Sequence, residues 1–267
     1  MRLLDQWLSE ISPSQRILDL GCGAGSLPLQ LKGRNVFGVD VDAGALARNP
    51  GSCAFAIGDC MPFGDSSFDL VICHHTLEHF DHPAETMGEI KRVLKDDGRL
   101  FVSVPDGRSF SDRLYRLLLC GGGHVQQFAF KSIVGEVESN TGLHLAGWKE
   151  LSSSFIFVDR RNFLASPRGP LPGPLPRRMR WLSVMPGWCF SFARVALNVV
   201  SRAIDKCCAT KISRYGWELV FGPENVSPVE ESGTTKVCMS CGAGLDEVKR
   251  IAIIAYRCPY CLTLNYG

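Results

Sequence analysis

Three aspartates punctuate the start of the chain: Asp19 in "ILDLGCGAGSLP", Asp40 in "VFGVDV" and Asp59 in "CAFAIGD". Asp19 begins the pattern D-x-G-x-G-x-G, with Gly21, Gly23 and Gly25 at alternate positions. Glycines spaced in this way let a backbone approach a bound molecule closely. The pyrophosphate fingerprint G-x-G-x-x-G is not met, because Ser26 stands where its third glycine belongs. Asp40 closes an apolar run and is placed to accept both hydroxyls of a ribose, and Asp59 is placed to accept from an adenine amino group. An acidic lining suits a cationic ligand better than a polyphosphate.

Two further segments carry groups suited to proton transfer or acceptor binding. "HHTLEH" (74–79) offers His74 and His75 as a base or a substrate contact, and "CGGGHVQQF" (120–128) offers His124 behind a run of glycines. The first segment is not the zinc-protease motif H-E-x-x-H, since Thr76 follows His75 and Glu78 directly precedes His79. The competing reading gives Glu78 and His79 only structural hydrogen bonds at a helix start.

Near the end, Cys238, Cys241, Cys258 and Cys261 form C-x2-C-x16-C-x2-C. Four thiolates at this spacing bind zinc tetrahedrally and close the site, which is structural rather than catalytic; an iron–sulfur centre or a redox dithiol is the alternative. The spacer "VKRIAIIAYR" has the length for a hairpin. The other eight cysteines are read mostly as small core residues.

Alternating elements must position these groups. Strand-like runs at 16–21, 36–41, 53–59, 68–74 and 98–105 alternate with helical patterns, the clearest being "PAETMGEIKRVLKDDG" (83–98). A further helix is predicted over 130–142, then strands in "LHLAGWKEL" and "YGWELVFG". Strands alternating with helices predict an α/β, doubly wound, mostly parallel sheet covered on both faces. The expected division is a main domain over 1–222 with an insertion at 155–214, a polar linker at 223–236 and a small ribbon at 237–267.

The insertion holds "SPRGPLPGPLPRRMR" and then an apolar stretch from Trp181 to Cys208. Residues 160–214 contain eleven Lys/Arg and one acid, Asp205, so the rest of a chain totalling +2 carries about −8. From Trp188 onward Ser191, Arg194, Asn198, Ser201, Arg202 and Asp205 recur at steps of three and four, a narrow polar stripe on an otherwise apolar helix. Two readings follow: an interfacial helix touching an anionic membrane, or a lid packed by its apolar face on the sheet.

"ILDLGCGAG", "VFGVDVD", "GDCMPFGDSSFDLVICHHTLEHF" and "EIKRVLKDDGRLFVSVPD" together resemble the successive motifs of class I S-adenosylmethionine-dependent methyltransferases of the UbiE/type-11 kind. The resemblance covers roughly residues 10–150. It implies a seven-stranded sheet whose seventh strand, "YGWELVFG", is antiparallel, and S-adenosyl-L-methionine as cofactor. It also implies that Gly21 and Gly23 pass the methionine part, Asp40 takes the ribose, and Asp59, Cys60 and Met61 frame the adenine. Asp19 would support the loop and the amino end, with Cys22, Gly25 and Val41 completing the cofactor contacts. The E-x-x-E-H of some metal-using quinone-precursor O-methyltransferases is not matched, because His75 stands where the first Glu would be.

The expected function is methyl transfer to a small-molecule or lipid-like acceptor, by O- or C-methylation. The alternatives are a protein or nucleic-acid methyltransferase that grips its target with the ribbon, and a non-catalytic cofactor-binding module. Against a nucleic-acid partner, the charge excess sits among apolar and aromatic residues, and "CHHT" lacks an N/D-P-P-Y type motif. The opening "MRLLDQWLSE" lacks an apolar signal region, and thiol-rich composition without a spanning segment predicts a cytoplasmic protein.

Overall fold

A computed structural model describes residues 3–4, 8, 12–25, 31, 33–119, 124–153, 155, 157–159, 181–224, 229–230, 250–252, 255–257 and 264–266. In chain order the elements are β1 (Arg16–Leu20), β2 (Asn35–Asp40), α1 (Ala43–Leu46), β3 (Ser52–Phe55), β4 (Phe68–His74), a 3-10 turn (Leu77–His79), α2 (Pro83–Val93) and β5 (Leu94–Pro105). They continue with α3 (Phe110–Leu118), α4 (Phe130–Thr141), β6 (His144–Ser152), α5 (Trp181–Val184), α6 (Gly187–Cys208), β7 (Arg214–Gly222) and β8 (Val229–Glu230). Three short strands follow: β9 (Arg250–Ala252), β10 (Ala255–Arg257) and β11 (Leu264–Tyr266).

The main sheet has the order β3-β2-β1-β4-β5-β7-β6-β8. β7 runs antiparallel to both β5 and β6, as expected for the seventh strand. The strand count departs from seven because Val229 and Glu230, inside the stretch read as linker, pair parallel with Gly147 and Trp148 on the free edge of β6. An unpaired edge offers ready backbone donors and acceptors, and two residues of a polar tail suffice to take some of them.

Central strands read as continuous apolar runs because both faces are covered. Leu18, Leu20, Val71, Cys73, Leu100 and Val102 pack with Met87, Ile90 and Val93 of α2 and Ile133 and Val137 of α4. The alternate positions Ile17, Leu70, Ile72, Phe101 and Val220 meet Leu3, Leu4 and Leu8 on the opposite face. α2 begins with Pro83, whose missing N–H costs nothing there, and stops at Val93 rather than 98. Leu94 turns to extended backbone and pairs with Phe68, while Ser66 and Ser67 donate to the carbonyls of Arg92 and Val93. β5 therefore starts four residues earlier than its sequence pattern implied.

A third cluster lies beneath the insertion, where Leu119, Phe155, Val158, Leu182 and Phe190 pack with Leu114, Tyr115 and Leu118 of α3. α6 turns its polar stripe inward: Phe190, Arg194, Asn198 and Ser201 are its buried residues. The packed side of α6 is mixed, since Phe190, Ala193 and Leu197 join the same cluster while Ser191, of the polar stripe, is exposed. Ser153, Ser111 and Arg202 supply polar surroundings on that side, with Arg202 Nη2 donating to Ser153 O.

Of the eight scattered cysteines, Cys120 falls outside the described residues, and among the others only Cys22 and Cys73 are buried. Cys53 lies on the edge strand β3, while Cys207 and Cys208 end α6, so position in the fold overrides the apolar preference of the thiol. β9, β10 and β11 form a separate antiparallel sheet. β9 and β10 are the hairpin anticipated within the cysteine spacer. Cys238, Cys241, Cys258 and Cys261 lie outside the described residues.

Candidate active site

β1 delivers Asp19 and then the glycine loop. Gly21, Gly23 and Gly25 all take positive φ, at 76°, 50° and 86°. The loop is tied to the next strand: the N–H groups of Gly21 and Cys22 donate to Val39 O, at 2.8 and 3.1 Å. Gly38 of β2 has no room for a side chain, since a Cβ there would lie 2.6 Å from Cys22 Sγ. Asn49 Nδ2 donates to Gly23 O at 3.0 Å.

Asp40 ends β2 beside that loop. Its Oδ2 accepts from Gly23 N and its Oδ1 from Asp42 N, both at 2.8 Å. Each oxygen keeps a lone pair, so the backbone fixes the carboxylate without exhausting it. Val41 next to it is 55% exposed. Asp19 is buried, and burial, reinforced by Asp40, pushes its carboxyl up to about 7. A cavity runs beside the loop, lined by Asp19, Cys22, Gly25, Gly38, Asn49 and Ser52, and does not reach Asp40 or Asp59.

Asp59 does not end a strand. β3 stops at Phe55, and Asp59 sits in a tight turn closed by the Ile57–Cys60 bridge. Gly58, Asp59 and Cys60 cannot continue the ladder because the chain must turn back toward α2. Asp59 Oδ1 is shielded from solvent and has no hydrogen-bond partner among the described residues. Cys60 is exposed and Met61 is buried. Two residues with no counterpart in the sequence reading hold this turn: Glu89 Oε2 accepts from Met61 N at 2.9 Å, and Arg92 Nη2 donates to Met61 O at 3.2 Å. Their spacing of three on one helix face, Arg92 Nε to Glu89 Oε1 at 2.7 Å, was the available signal.

Across from the loop, β4 ends in His74 and the chain turns sharply. His75 adopts φ 54°, left-handed backbone uncommon for a non-glycine residue. His75 N donates to Ser103 O at 2.8 Å, and its Nε2 lies 3.3 Å from Ser103 Oγ. The His74 and His75 rings are 4.4 Å apart, and Tyr215 stands 5.3 Å from His75. Glu78 is 1% exposed, 3.7 Å from His75 Nδ1, and burial pushes its carboxyl up to about 8.

His124 is brought onto the same turn. Val125 N and Gln126 N both donate to Glu78 O, and Gln126 Nε2 donates to Phe80 O. The segment after the glycines is therefore fastened over the 3-10 turn; Cys120 to Gly123 lie outside the described residues. His124 Nδ1 lies 3.0 Å from Asp112 Oδ1, and Arg116 Nε donates to Asp112 Oδ2 at 2.6 Å. Burial raises the Asp112 carboxyl, but these hydrogen bonds outweigh it and hold it below the usual carboxylate range. Tyr115 stacks on His124 at 4.6 Å, and its hydroxyl is pushed up to about 12, first by burial and then by Glu78 and Asp112. His79 completes the group, 5.0 Å from His124.

Sequence candidates 50 residues apart thus converge, with Glu78 between the His74–His75 pair and His79–His124. Among the described residues Glu78, His79 and His124 are also the one group whose ligand atoms, within 4.8 Å of one another, would suit a metal ion. Asp112 and Arg116 were not anticipated; their spacing of four on α3 is the visible trace.

Residues 18–102 match the family described as "Methyltransferase domain". The chain is 30% identical over 148 residues to the "Probable methyltransferase ltbC" of Aspergillus luteorubrus, covering 46% of this chain and 52% of that protein. It is 35% identical over 98 residues to the demethylmenaquinone methyltransferase of Renibacterium salmoninarum, covering 34% of this chain and 41% of that one. The match thus spans about half, or less, of these relatives' length. A putative methyltransferase of an antibiotic biosynthesis pathway from Anabaena variabilis shares the fold, with a TM-score of 0.57 and 13% identity over 83% of this chain and 96% of that one.

Proposed function

We propose that this chain transfers a methyl group from S-adenosyl-L-methionine to a small-molecule or lipid-like acceptor. The observation that carries this reading is Asp59 Oδ1, a shielded acceptor without a partner among the described residues, taken together with Asp40 at the end of β2 and the positive-φ glycines. An exocyclic amino group supplies the missing donor. Gly21, Cys22, Gly23 and Gly25 pass the methionine part, Asp40 binds the ribose hydroxyls, and Val41, Asp59, Cys60 and Met61 surround the base. Asp19 faces the amino end.

When bound, the sulfonium supplies an activated methyl group, which leaves the protein chiefly to hold the acceptor in line. His124, oriented through Nδ1 by Asp112, is the residue best held to take a proton from a hydroxyl or acidic carbon acceptor. His74 and His75 line the acceptor side. The acceptor class draws support from relatives named for quinone precursors and, in one case, sterols.

Cys238, Cys241, Cys258 and Cys261 hold one structural zinc. The antiparallel β9–β10 hairpin that ends at Arg257, directly before Cys258, is consistent with a zinc ribbon.

Isothermal titration of the full chain with S-adenosyl-L-methionine tests the cofactor, and Asp40→Ala is expected to weaken binding by about 1.5–3 kcal/mol. Incubating small-molecule and lipid extracts with enzyme and methyl-labelled cofactor then identifies the acceptor by mass spectrometry. An intact protein that binds no cofactor would overturn the reading.

A further inference from the structure

α6 packs on the protein through a mixed face, with Phe190, Ala193 and Leu197 in the cluster on α3, and it leaves a second apolar side outward. Its inward stripe carries Arg194, Asn198 and Ser201. Local bonds serve that side: Asn198 Nδ2 donates to Arg194 O at 2.9 Å, and Ser201 Oγ to Asn198 O at 3.3 Å. The outward side carries Trp188 and Phe192, each 71% exposed, with Val199 and Val200 at 46% and 54%. α5, just before it, adds Trp181 and Val184 at 57% and 78%. Large aromatic and branched side chains gathered on neighbouring elements mark a surface that something covers.

Charge says what covers it. Residues 160–214 hold eleven Lys/Arg against one acid; of these, Lys211 and Arg214 pair with Glu150 and Asp106, and Arg194 is buried, so any surface charge comes from the others. That acid, Asp205, is turned to its own chain, accepting from Thr210 Oγ1, Ile212 N and Ser213 N at 2.7, 2.6 and 2.8 Å. Lys206 is exposed at the end of the helix, and Arg177, Arg178 and Arg180 directly precede Trp181 in sequence. A second copy would bring the same cationic segment against its like. Among the described residues no helix is long and apolar enough to cross a membrane, so an apolar face of this kind has to lie along a surface.

We infer that α5 and α6 dock this protein on the surface of an anionic phospholipid bilayer, with Trp181, Trp188 and Phe192 entering the boundary between headgroups and acyl chains. The inner side of the same insertion packs against Leu114, Tyr115 and Leu118 of α3, and Tyr115 stacks on His124. Docking therefore sets the bilayer behind the wall of the acceptor site. The inference does not rest on methyl transfer.

Co-sedimentation of the full chain with vesicles of phosphatidylcholine and phosphatidylglycerol, against phosphatidylcholine alone, is the test. Binding is expected only to the anionic vesicles, weakening as salt rises and falling about tenfold or more in a Trp188→Ser/Phe192→Ser variant. Both side chains are exposed, so the variant is expected to unfold at the same temperature as the parent. Should it not fold, Lys206→Glu replaces it, with weaker anionic binding expected. The proposal is overturned if the folded chain ignores both vesicles, or if the folded double variant binds like the parent. It is equally overturned if ultracentrifugation shows a dimer that dissolves in the variant while vesicles bind neither protein. Vesicle binding by a chain that takes no S-adenosyl-L-methionine would sustain this proposal and overturn the functional one.

Discussion

A Cβ built on Gly21 would stand 2.1 Å from Thr76 Cγ2, so the glycine loop after β1 and the histidine turn after β4 touch through a missing side chain. The cofactor half and the acceptor half of the proposed site are therefore set against each other by the Gly21 backbone packing on the Thr76 side chain. Gly21→Ala has to push Thr76 away while also adopting φ 76°. The expected cost is about 2–4 kcal/mol of folding stability, with cofactor affinity falling as well. Denaturant unfolding and calorimetry measure the two; a variant unchanged in both would show that the loop and the turn can part freely.

Asp19 predicts a pH dependence. Its carboxyl is pushed up to about 7 in the folded chain, first by burial and then by Asp40, whereas unfolded it titrates near about 3.9. Between those values the folded state holds a proton that the unfolded state has lost, so stability falls as pH rises from about 4 to about 7. Asp19→Asn should flatten that slope, gaining on the order of 2–4 kcal/mol above pH 7. A cationic cofactor favours the ionised carboxylate, so its binding should tighten as pH rises through the same window and release a proton. Urea titrations of the cofactor-free chain at several pH values would contradict this if the slope were absent or survived the substitution.

His124→Gln separates proton transfer from binding. Turnover is expected to fall about 100-fold with cofactor affinity unchanged. Asp112→Asn keeps an acceptor for Nδ1 but removes its charge, and should displace the pH–rate profile, which a purely structural defect would leave in place. Equal turnover in the His124 variant would move the base to His74 or His75, or dispense with one.

The purified protein is expected to carry close to one zinc. Cys258→Ser should remove it, while the main sheet melts unchanged and still takes up cofactor. Elemental analysis finding iron in place of zinc, or no metal, would refute the ribbon.

Much of the sheet was legible because buried parallel strands leave long apolar runs, and β4 follows its run from Phe68 to His74 residue for residue. Asp40 was legible for the same reason, standing where such a run ends. Asp59 reads in sequence as the end of a strand, whereas it lies in a turn held from a distance by Glu89 and Arg92 on α2. The union of Glu78, His79 and His124 is equally a product of folding, made by backbone bonds from Val125 and Gln126. In α6 the periodicity was plain and its orientation was not. A polar stripe has the same spacing whether it meets water or Ser153, and only the neighbours decide.

The short strand β8 limits how far Cys238 can lie from the main sheet. Val229 and Glu230 are clipped to Gly147 and Trp148 of β6. Cys238 follows Glu230 by eight residues, a length of chain that reaches at most about 28 Å. Cys238 therefore stays within that reach of the β6 edge, whatever else it binds.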